Sequence, residues 1–340
     1  MSVRKLGPFD VNPVGLGCMG MSEFYGPTDE QQSERVLHRA LELGVDHFDT
    51  ADVYGYGHNE ELVGRVLNGS GARERVVLAT KCGIVRDKDD PAKRGIDNSP
   101  AYILEAFSKS AERLKTHIDV FYLHRISHYG EQIEASMSAM ATLLKQGAIR
   151  AVGLSEASAR TIERAHAELL RLTDGEHGLA AVQTEYSLMS RDVEDNGIFA
   201  ACRDLGVTLV AYSPIGRGLL TDSLNTLDAL DQSDYRRTLP RFSKDALASN
   251  GDLAAAIGAV AKKIGASTSQ IAIAWVLSRA GNLLAIPGTK RLDYLASNVG
   301  ASALTLPAQT LRELEQALND RPVSGRRYAP EILATYGLDR

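Results

Sequence analysis

The sequence predicts a single (β/α)8 barrel of the TIM class, and three observations carry that expectation. Short apolar or β-branched runs recur eight times, each followed by a helical pattern. Several runs, such as Val76-Val77-Leu78-Ala79 and Val207-Thr208-Leu209-Val210-Ala211, are apolar almost throughout, as parallel strands covered on both faces must be. No G-x-G-x-x-G separates the first strand from a following helix, which weighs against an open doubly wound sheet. The 340 residues contain no composition break or low-complexity linker, so 1–340 is read as one domain.

A hairpin is expected over residues 3–6 and 9–12, turned at Gly7-Pro8. Strand 1 follows at 14–17, then a loop rich in Met, Gly and aromatics at 18–27. Thr28 is placed to cap a helix over 29–43, with Val36, Leu37, Ala40, Leu41 and Leu43 on its apolar side. Gly44 ends it, and 45–49 is strand 2. A helix over 59–67 leads to strand 3 at 76–81. Ser99 as cap and Pro100 in the first position open a helix that leads to strand 4 at 120–124. A helix over 131–145, ended by Gln146-Gly147, leads to strand 5 at 149–154. Helices over 158–170 and 193–205 lead to strand 6 at 180–183 and strand 7 at 207–212. A long loop after strand 7, 213–250, and helices over 252–264 and 267–278 precede strand 8 at 283–286; a helix over 292–299 follows.

Bulk composition narrows the function classes. Hydrophobic residues at 44% and charged residues at 24% supply a sizeable core. The 38 basic and 43 acidic residues leave a net charge of −5 with no long run of one sign, against nucleic-acid binding. Cys18, Cys82 and Cys202 are far apart and form no C-x-x-C pair, which fits a reducing compartment without disulfides or zinc. The opening Met-Ser-Val-Arg-Lys-Leu-Gly-Pro has no apolar signal core, and no apolar run approaches the ~18 residues that span a bilayer. A soluble, cytoplasmic protein without membrane or nucleic-acid partners is expected. Nothing in the sequence signals an oligomeric state.

Barrel chemistry sits where strands end. Strand 2 ends in Asp49, with Tyr54 in the loop behind it; strand 3 ends in Lys81 and strand 4 in His124. Strand 5 runs into Ser155-Glu156, strand 6 ends in Gln183, strand 7 in Tyr212-Ser213, and strand 8 runs into Pro287-Gly288-Thr289-Lys290-Arg291. Singly, each has an ordinary reading as a cap, a lid or a solvated charge; four ionisable groups on three neighbouring strand ends favour a site. A phenol near pKa 10 holds its proton at neutral pH and donates it. A nearby ammonium favours the phenolate, so Lys81 is expected to make Tyr54 a better acid, with Asp49 holding Lys81. A histidine beside them orients a carbonyl. Hydride must come from a cofactor. Ser155 and Gln183 suit a primary amide such as that of nicotinamide, and Tyr212 offers its ring a face. Ser213-Pro214-Ile215-Gly216-Arg217-Gly218 suits a pyrophosphate, and Gly288-Thr289-Lys290-Arg291 at a helix start suits the 2′-phosphate of NADPH.

These segments together resemble the aldo-keto reductase superfamily. The resemblance lies in Phe-Asp-Thr-Ala-Asp-Val-Tyr-Gly (48–55), Ala-Thr-Lys-Cys-Gly (79–83), Tyr-Leu-His-Arg (122–125) and Gly-Leu-Ser-Glu (153–156). It continues through Val-Gln-Thr-Glu-Tyr-Ser-Leu (182–188), Ala-Tyr-Ser-Pro-Ile-Gly-Arg-Gly-Leu-Leu (211–220) and Ile-Pro-Gly-Thr-Lys-Arg (286–291). Residues 234–242 further resemble the branch related to pyridoxal reductase and auxin-induced-type proteins. The resemblance implies metal-free, NADPH-dependent reduction of a small aldehyde or ketone, with Tyr54 as general acid, Asp49 and Lys81 tuning it, and His124 orienting the carbonyl. It also implies that the cofactor (NADPH or NADP+) meets Met19, Asp49, Ser155, Gln183 and Tyr212. Ser213, Pro214, Ile215, Gly216, Gly218 and Leu219 would lie at the pyrophosphate, Gly288, Thr289, Lys290 and Arg291 at the 2′-phosphate, and Asn298 near the adenine. Three positions depart from common relatives: Ser127 where Asp is frequent, Met189 where an aromatic is frequent, and Ser297 beside Asn298. By position, Met21, Phe24, Tyr25, Tyr56, Ile126 and Met189 are expected to line a fairly apolar substrate pocket. Two alternatives stand: a non-catalytic, cofactor-sensing subunit of the same fold, and, more weakly, a metal-dependent hydrolase using His47, Asp49 and His124.

Overall fold

Eight parallel strands alternate with helices in the computed structural model, which describes residues 3–90, 94–221 and 226–335. The strands are β1 (Leu16–Gly17), β2 (His47–Asp49), β3 (Val77–Cys82), β4 (Ile118–Leu123), β5 (Ile149–Ser155), β6 (Ala181–Glu185), β7 (Thr208–Tyr212) and β8 (Leu283–Ile286). They pair in sequence order, and β1 meets β8 through parallel bridges Val14 to Ala285 and Gly17 to Gly288. The ring is therefore a (β/α)8 barrel. Contrary to the expectation that no G-x-G-x-x-G follows the first strand, Gly15, Gly17 and Gly20 have that spacing, but only a 3-10 turn at Met19–Met21 comes next and no α-helix starts until Glu30. Gly17 serves closure instead: a Cβ there would stand 2.8 Å from the Ile286 carbonyl oxygen across the seam.

The expected N-terminal hairpin is present as Arg4–Leu6 paired with Phe9–Val11. Its Leu6, Phe9 and Val11 pack against the interior residues Val77, Val120, Ala151, Ala181, Val210 and Leu284, so the hairpin plugs the N-terminal end of the barrel. The Arg4 guanidinium donates to the carbonyls of Leu277, Ala280 and Leu283, fastening the plug to the last strand–helix unit. The larger core lies outside the strands, where Leu16, Phe48, Leu78, Phe121 and Leu154 meet the helices.

The helices are α1 (Glu30–Glu42), α2 (His58–Gly69), α3 (Pro100–Leu114), α4 (Ile133–Lys145), α5 (Ala159–Leu172), α6 (Ile198–Asp204), α7 (Lys244–Lys263), α8 (Thr268–Ser278), α9 (Leu292–Gly300), α10 (Ala308–Asp320) and α11 (Pro330–Thr335). Several boundaries differ from expectation for identifiable reasons. Asp29, not Thr28, caps α1, its carboxylate accepting from the Gln32 N–H at 3.1 Å. The expected helix at 193–205 is a 3-10 turn plus α6, divided at Gly197 with φ 85°. The loop after β7 ends at 243 rather than 250, because Asn250-Gly251, which reads as a turn, lies inside α7. There Asn250 Nδ2 donates to the carbonyls of Arg241 and Ser324. Residues 222–225 of that loop, and the ends of the expected 1–340 domain, lie outside the described residues. A hairpin at Ile84–Arg86 and Arg94–Ile96, and both α10 and α11, carry no signal that the strand–helix count picks up.

Candidate active site

One interior glycine makes room for the site. Gly153 on β5 faces Tyr122 on β4, and a Cβ at Gly153 would fall 2.3 Å from that ring. The Tyr122 ring thus lies across the barrel interior, where it forms a floor with the Lys81 ammonium 6.0 Å from its centroid. Above it, Lys81 Nζ donates to Asp49 Oδ1 and, at 2.7 Å, to the Thr50 carbonyl. Gln183 Nε2 donates to Asp49 Oδ2 at 2.8 Å. The carboxylate accepts on both oxygens and holds the ammonium in place, in a pair almost wholly withdrawn from solvent.

Tyr54 reaches this pair on a tight turn. Gly55, Tyr56 and Gly57 all have positive φ (57°, 54° and 96°), and α2 starts directly behind them. Buried Asn59 fixes the turn: its amide donates to the Cys18 carbonyl (2.9 Å) and Ser22 Oγ (2.8 Å), and Thr50 Oγ1 donates to its oxygen at 2.6 Å. The Tyr54 ring stands edge-on to His124 with centroids 5.5 Å apart, and Lys81 Nζ lies 5.4 Å from the Tyr54 centroid.

The electrostatics correct one expectation. Burial first, and the Asp49 charge second, push the Tyr54 phenol well above its ordinary value, against a smaller opposing pull from Arg125. In the resting site burial and the Asp49 charge outweigh the pull toward the anion expected of Lys81. Tyr54 therefore holds its proton at neutral pH. His124 is held neutral by burial, then by the cations Lys81 and Arg125. Its Nδ1 has no hydrogen-bond partner among the described residues, so the ring is held by packing on Tyr54. At Ser127 the backbone N–H donates to Asn98 Oδ1 at 2.7 Å.

A cavity of about 550 Å3 opens above this floor, within the usual range for small-molecule and cofactor sites. Tyr54, His124 and Asp49 line it, as do Met19, Ser155, Gln183, Tyr212, Ser213, Pro214, Ile215, Gly218, Gly288, Thr289, Lys290 and Arg291. Lys81 lies behind Tyr54. Gly216, Leu219 and Asn298 are buried outside the lining. Ser155 Oγ accepts from Arg125 at 3.3 Å. The Tyr212 hydroxyl donates to Glu156 Oε1 at 2.6 Å, which fixes the ring's tilt. Burial works to raise the Glu156 carboxyl, but Arg327, Arg125 and the Tyr212 bond outweigh it and hold it at about 2. At the far end, Lys290 Nζ donates to the carbonyls of Tyr25 (2.6 Å) and Pro27 (2.8 Å), while exposed Arg291 pairs with Asp293 at 2.9 Å.

Most of the residues expected to form the apolar pocket lie elsewhere. Met21, Ile126 and Met189 belong to the outer core, Phe24 packs edge-on against Tyr235, and Tyr56 is 43% exposed. Only Tyr25 of the six lines the cavity. Position relative to a strand end does not say which way a loop folds back. Arg125, Arg217, Arg236, Tyr294 and Tyr328 also line it and were not singled out as site residues. Arg125 and Arg217 sit within quoted motifs and were open to discovery; Tyr328 lies beyond the last expected element. The stretch after β7 roofs the cavity, with the Tyr235 N–H donating to the Phe24 carbonyl (2.9 Å) and Arg236 over the Tyr25 ring (5.0 Å). Among the described residues no group of three His, Cys, Asp or Glu is placed to hold a metal ion, and no helix is long and apolar enough to cross a membrane.

Beneath Asp49, His47 points into the barrel interior beside Gly15, and neither ring nitrogen has a hydrogen-bond partner among the described residues. Burial first pushes this imidazole down to about 4; Asp49 and Asp119 oppose that shift and Lys81 adds to it. Between pH 6.5 and about 4 the unfolded chain then binds a proton that the folded chain does not. Stability present above pH 6.5 is lost progressively over that window, by about 2 kcal/mol at pH 5. Urea denaturation at pH 7.5 and pH 5 should show His47→Leu losing less stability than wild type by about that amount; equal losses would contradict it.

The Aldo/keto reductase family model matches residues 13–319. The chain is 38% identical over 331 residues to the aldo-keto reductase yakc [NADP(+)] of Schizosaccharomyces pombe, covering 96% of this chain and 94% of that one. It is 36% identical to the aldo-keto reductase str7 of Strobilurus tenacellus, covering 97% and 95%. Among solved structures it is similar to the glycerol dehydrogenase AKR11B4 from Gluconobacter oxydans (TM-score 0.80, 26% identity, 96% and 97% covered). It is also similar to the holo form of aldo-keto reductase AKR11C1 from Bacillus halodurans (TM-score 0.75, 27% identity, 93% and 96% covered).

Proposed function

The chain belongs to the aldo/keto reductase family, and from that premise we propose that it reduces an aldehyde or ketone to the alcohol with NADPH, using Tyr54 as the general acid. The observation that carries this reading is the convergence of Tyr54, His124 and the buried Lys81–Asp49 pair at the base of one cavity. A relative whose name specifies NADP(+) supports the cofactor.

The donor set fits that cofactor. Ser155 and Gln183 present a hydroxyl and an amide, Tyr212 presents a ring of fixed tilt, Ser213, Pro214, Ile215, Arg217 and Gly218 line the same cavity, and Arg291 presents an exposed cation. When bound, the reduced nicotinamide supplies the hydride that no side chain carries. Neutral His124 orients the carbonyl by hydrogen bonding to its oxygen. Tyr54 gives its proton to that oxygen as negative charge develops there, and the Lys81 ammonium behind the phenol stabilises the charge Tyr54 acquires. Asp49 keeps Lys81 in position throughout. The roof excludes water while this happens.

The test is a spectrophotometric screen of NADPH oxidation against aldehydes, ketones and pyridoxal. Absence of turnover across the whole panel would end the enzymatic reading. The choice between the two cations follows from their partners: Lys290 is held half-buried by two carbonyls, whereas Arg291 is exposed and its partner Asp293 is a solvent-facing carboxylate. Arg291→Ala is expected to raise the KM for NADPH about tenfold, with that for NADH within about twofold. A parallel rise for both would move the phosphate site elsewhere.

A further inference from the structure

The hairpin at Ile84–Arg86 and Arg94–Ile96 follows β3 at the rim that carries the site, and the chemistry above gives it no task. Its first strand meets the turn that carries Tyr54: Ile84 packs against the small cluster of Ala51, Val53 and Tyr54. Arg86 ends that strand, and its side chain is only 13% exposed. Its guanidinium is divided between two loops. On the loop after β1, one nitrogen donates to both Glu23 oxygens at 2.9 and 3.0 Å, and the group lies 5.6 Å from the Phe24 centroid. On the loop after β2, it donates to the Val53 carbonyl at 3.4 Å and the Tyr56 hydroxyl at 3.3 Å, and lies 4.6 Å from the Tyr56 centroid. The Gly55 N–H in turn bonds the Glu23 carboxylate. One ion pair therefore grips the Val53 carbonyl just before Tyr54 and the Gly55 N–H just after it.

That grip has a strained turn to hold. Tyr56 lies at φ 54° between two glycines of positive φ, a conformation a tyrosine keeps only where its surroundings over-determine it. Asn59 anchors the turn from the α2 side, and Arg86 meets it from the hairpin side. An exposed ion pair would do little here. This one is largely withdrawn from water, and the planar fork of arginine serves several acceptors at once. We propose that Arg86 is a positioning residue for the reaction: paired with Glu23, it fixes the turn so that the Tyr54 hydroxyl stands where the substrate oxygen is protonated. The proposal rests on Tyr54 as the general acid and adds to that reading the device that aims it. A displacement of about 1 Å at such a group lowers a rate by about a hundredfold, so a clamp outside the cavity can govern the chemistry inside it.

The test measures the single-turnover rate of NADPH oxidation with 4-nitrobenzaldehyde, or with the best substrate of the screen above. Arg86→Met is made in the wild type and in Tyr54→Phe. In the wild type it should slow the reaction roughly tenfold to a hundredfold, with NADP+ affinity by calorimetry within about threefold. In Tyr54→Phe it should change the residual rate by less than about twofold, because no hydroxyl is left to aim. If Arg86→Met does not fold, Glu23→Gln takes its place under the same comparison, with a loss of about fivefold or more expected in the wild type alone. A rate within twofold of wild type overturns the proposal. So does an equal fold-loss in both backgrounds, which would make the ion pair a support of the fold and not of Tyr54. If Tyr54→Phe itself keeps the wild-type rate, the general-acid reading falls and the proposal with it; if Tyr54→Phe is slow and the clamp variant is not, only the proposal falls.

Discussion

Tyr54→Phe should retain NADPH binding within about threefold and lose reductase turnover by about 10²–10⁴. The variant removes one oxygen from a ring that is otherwise held by His124 and by the turn at Gly55–Gly57, so the packing that places the ring survives. The proton it removes is the one desolvation keeps on the phenol at every working pH. Hence the loss should not be recovered by acidifying the buffer, whereas a shifted pH optimum with full turnover would mean another group is the acid. Calorimetric titration with NADP+ and steady-state rates on one good substrate decide it. A rate within a few-fold of wild type removes Tyr54 from the role assigned to it.

Lys81→Met should damage both rate and stability. Both members of the pair are buried, and removing one leaves the other without its counter-charge. Breaking such a pair typically costs about 3–5 kcal/mol. The rate should fall as far as in Tyr54→Phe, since the positive charge behind the phenol is gone. Adding Asp49→Asn should return part of the stability and none of the rate, because a neutral amide there no longer needs a cation but supplies no field. Urea unfolding of the single and double variants, alongside turnover, separates the two effects. A double variant as unstable as the single one would mean that Lys81 acts through packing rather than charge.

Much of the site could be read from the sequence because barrel geometry converts position into convergence. Asp49, Lys81, His124, Ser155, Gln183 and Tyr212 lie close to a strand end, and strand ends follow from a simple alternation of runs. What escaped was the partnering. Nothing local indicates that Gln183 bonds Asp49, since 134 positions separate them. The direction of the Tyr54 shift escaped for the same reason: it depends on how deeply the ring is buried and on how close the Asp49 charge lies. The residues expected to line the pocket were misplaced because loop direction is set by long-range contacts such as Arg236 over Tyr25 and Arg217 on Tyr328. The boundary errors at α1 and α7 are of a different kind, competition between two adjacent cap formers and an Asn-Gly pair stabilised inside a helix by distant carbonyls.

The hairpin plug also constrains how the chain is made. Arg4 grips the Leu283 carbonyl, 279 positions further along. At a synthesis rate of about 5–20 residues per second, the first residues wait roughly 14–56 s for the partner that fixes them. During that interval the early strands exist on the ribosome with an open seam, an unplugged interior and an unpaired edge on the strand before α1. Closure waits until Leu283–Ile286 has been made and can bring both halves of the seam together.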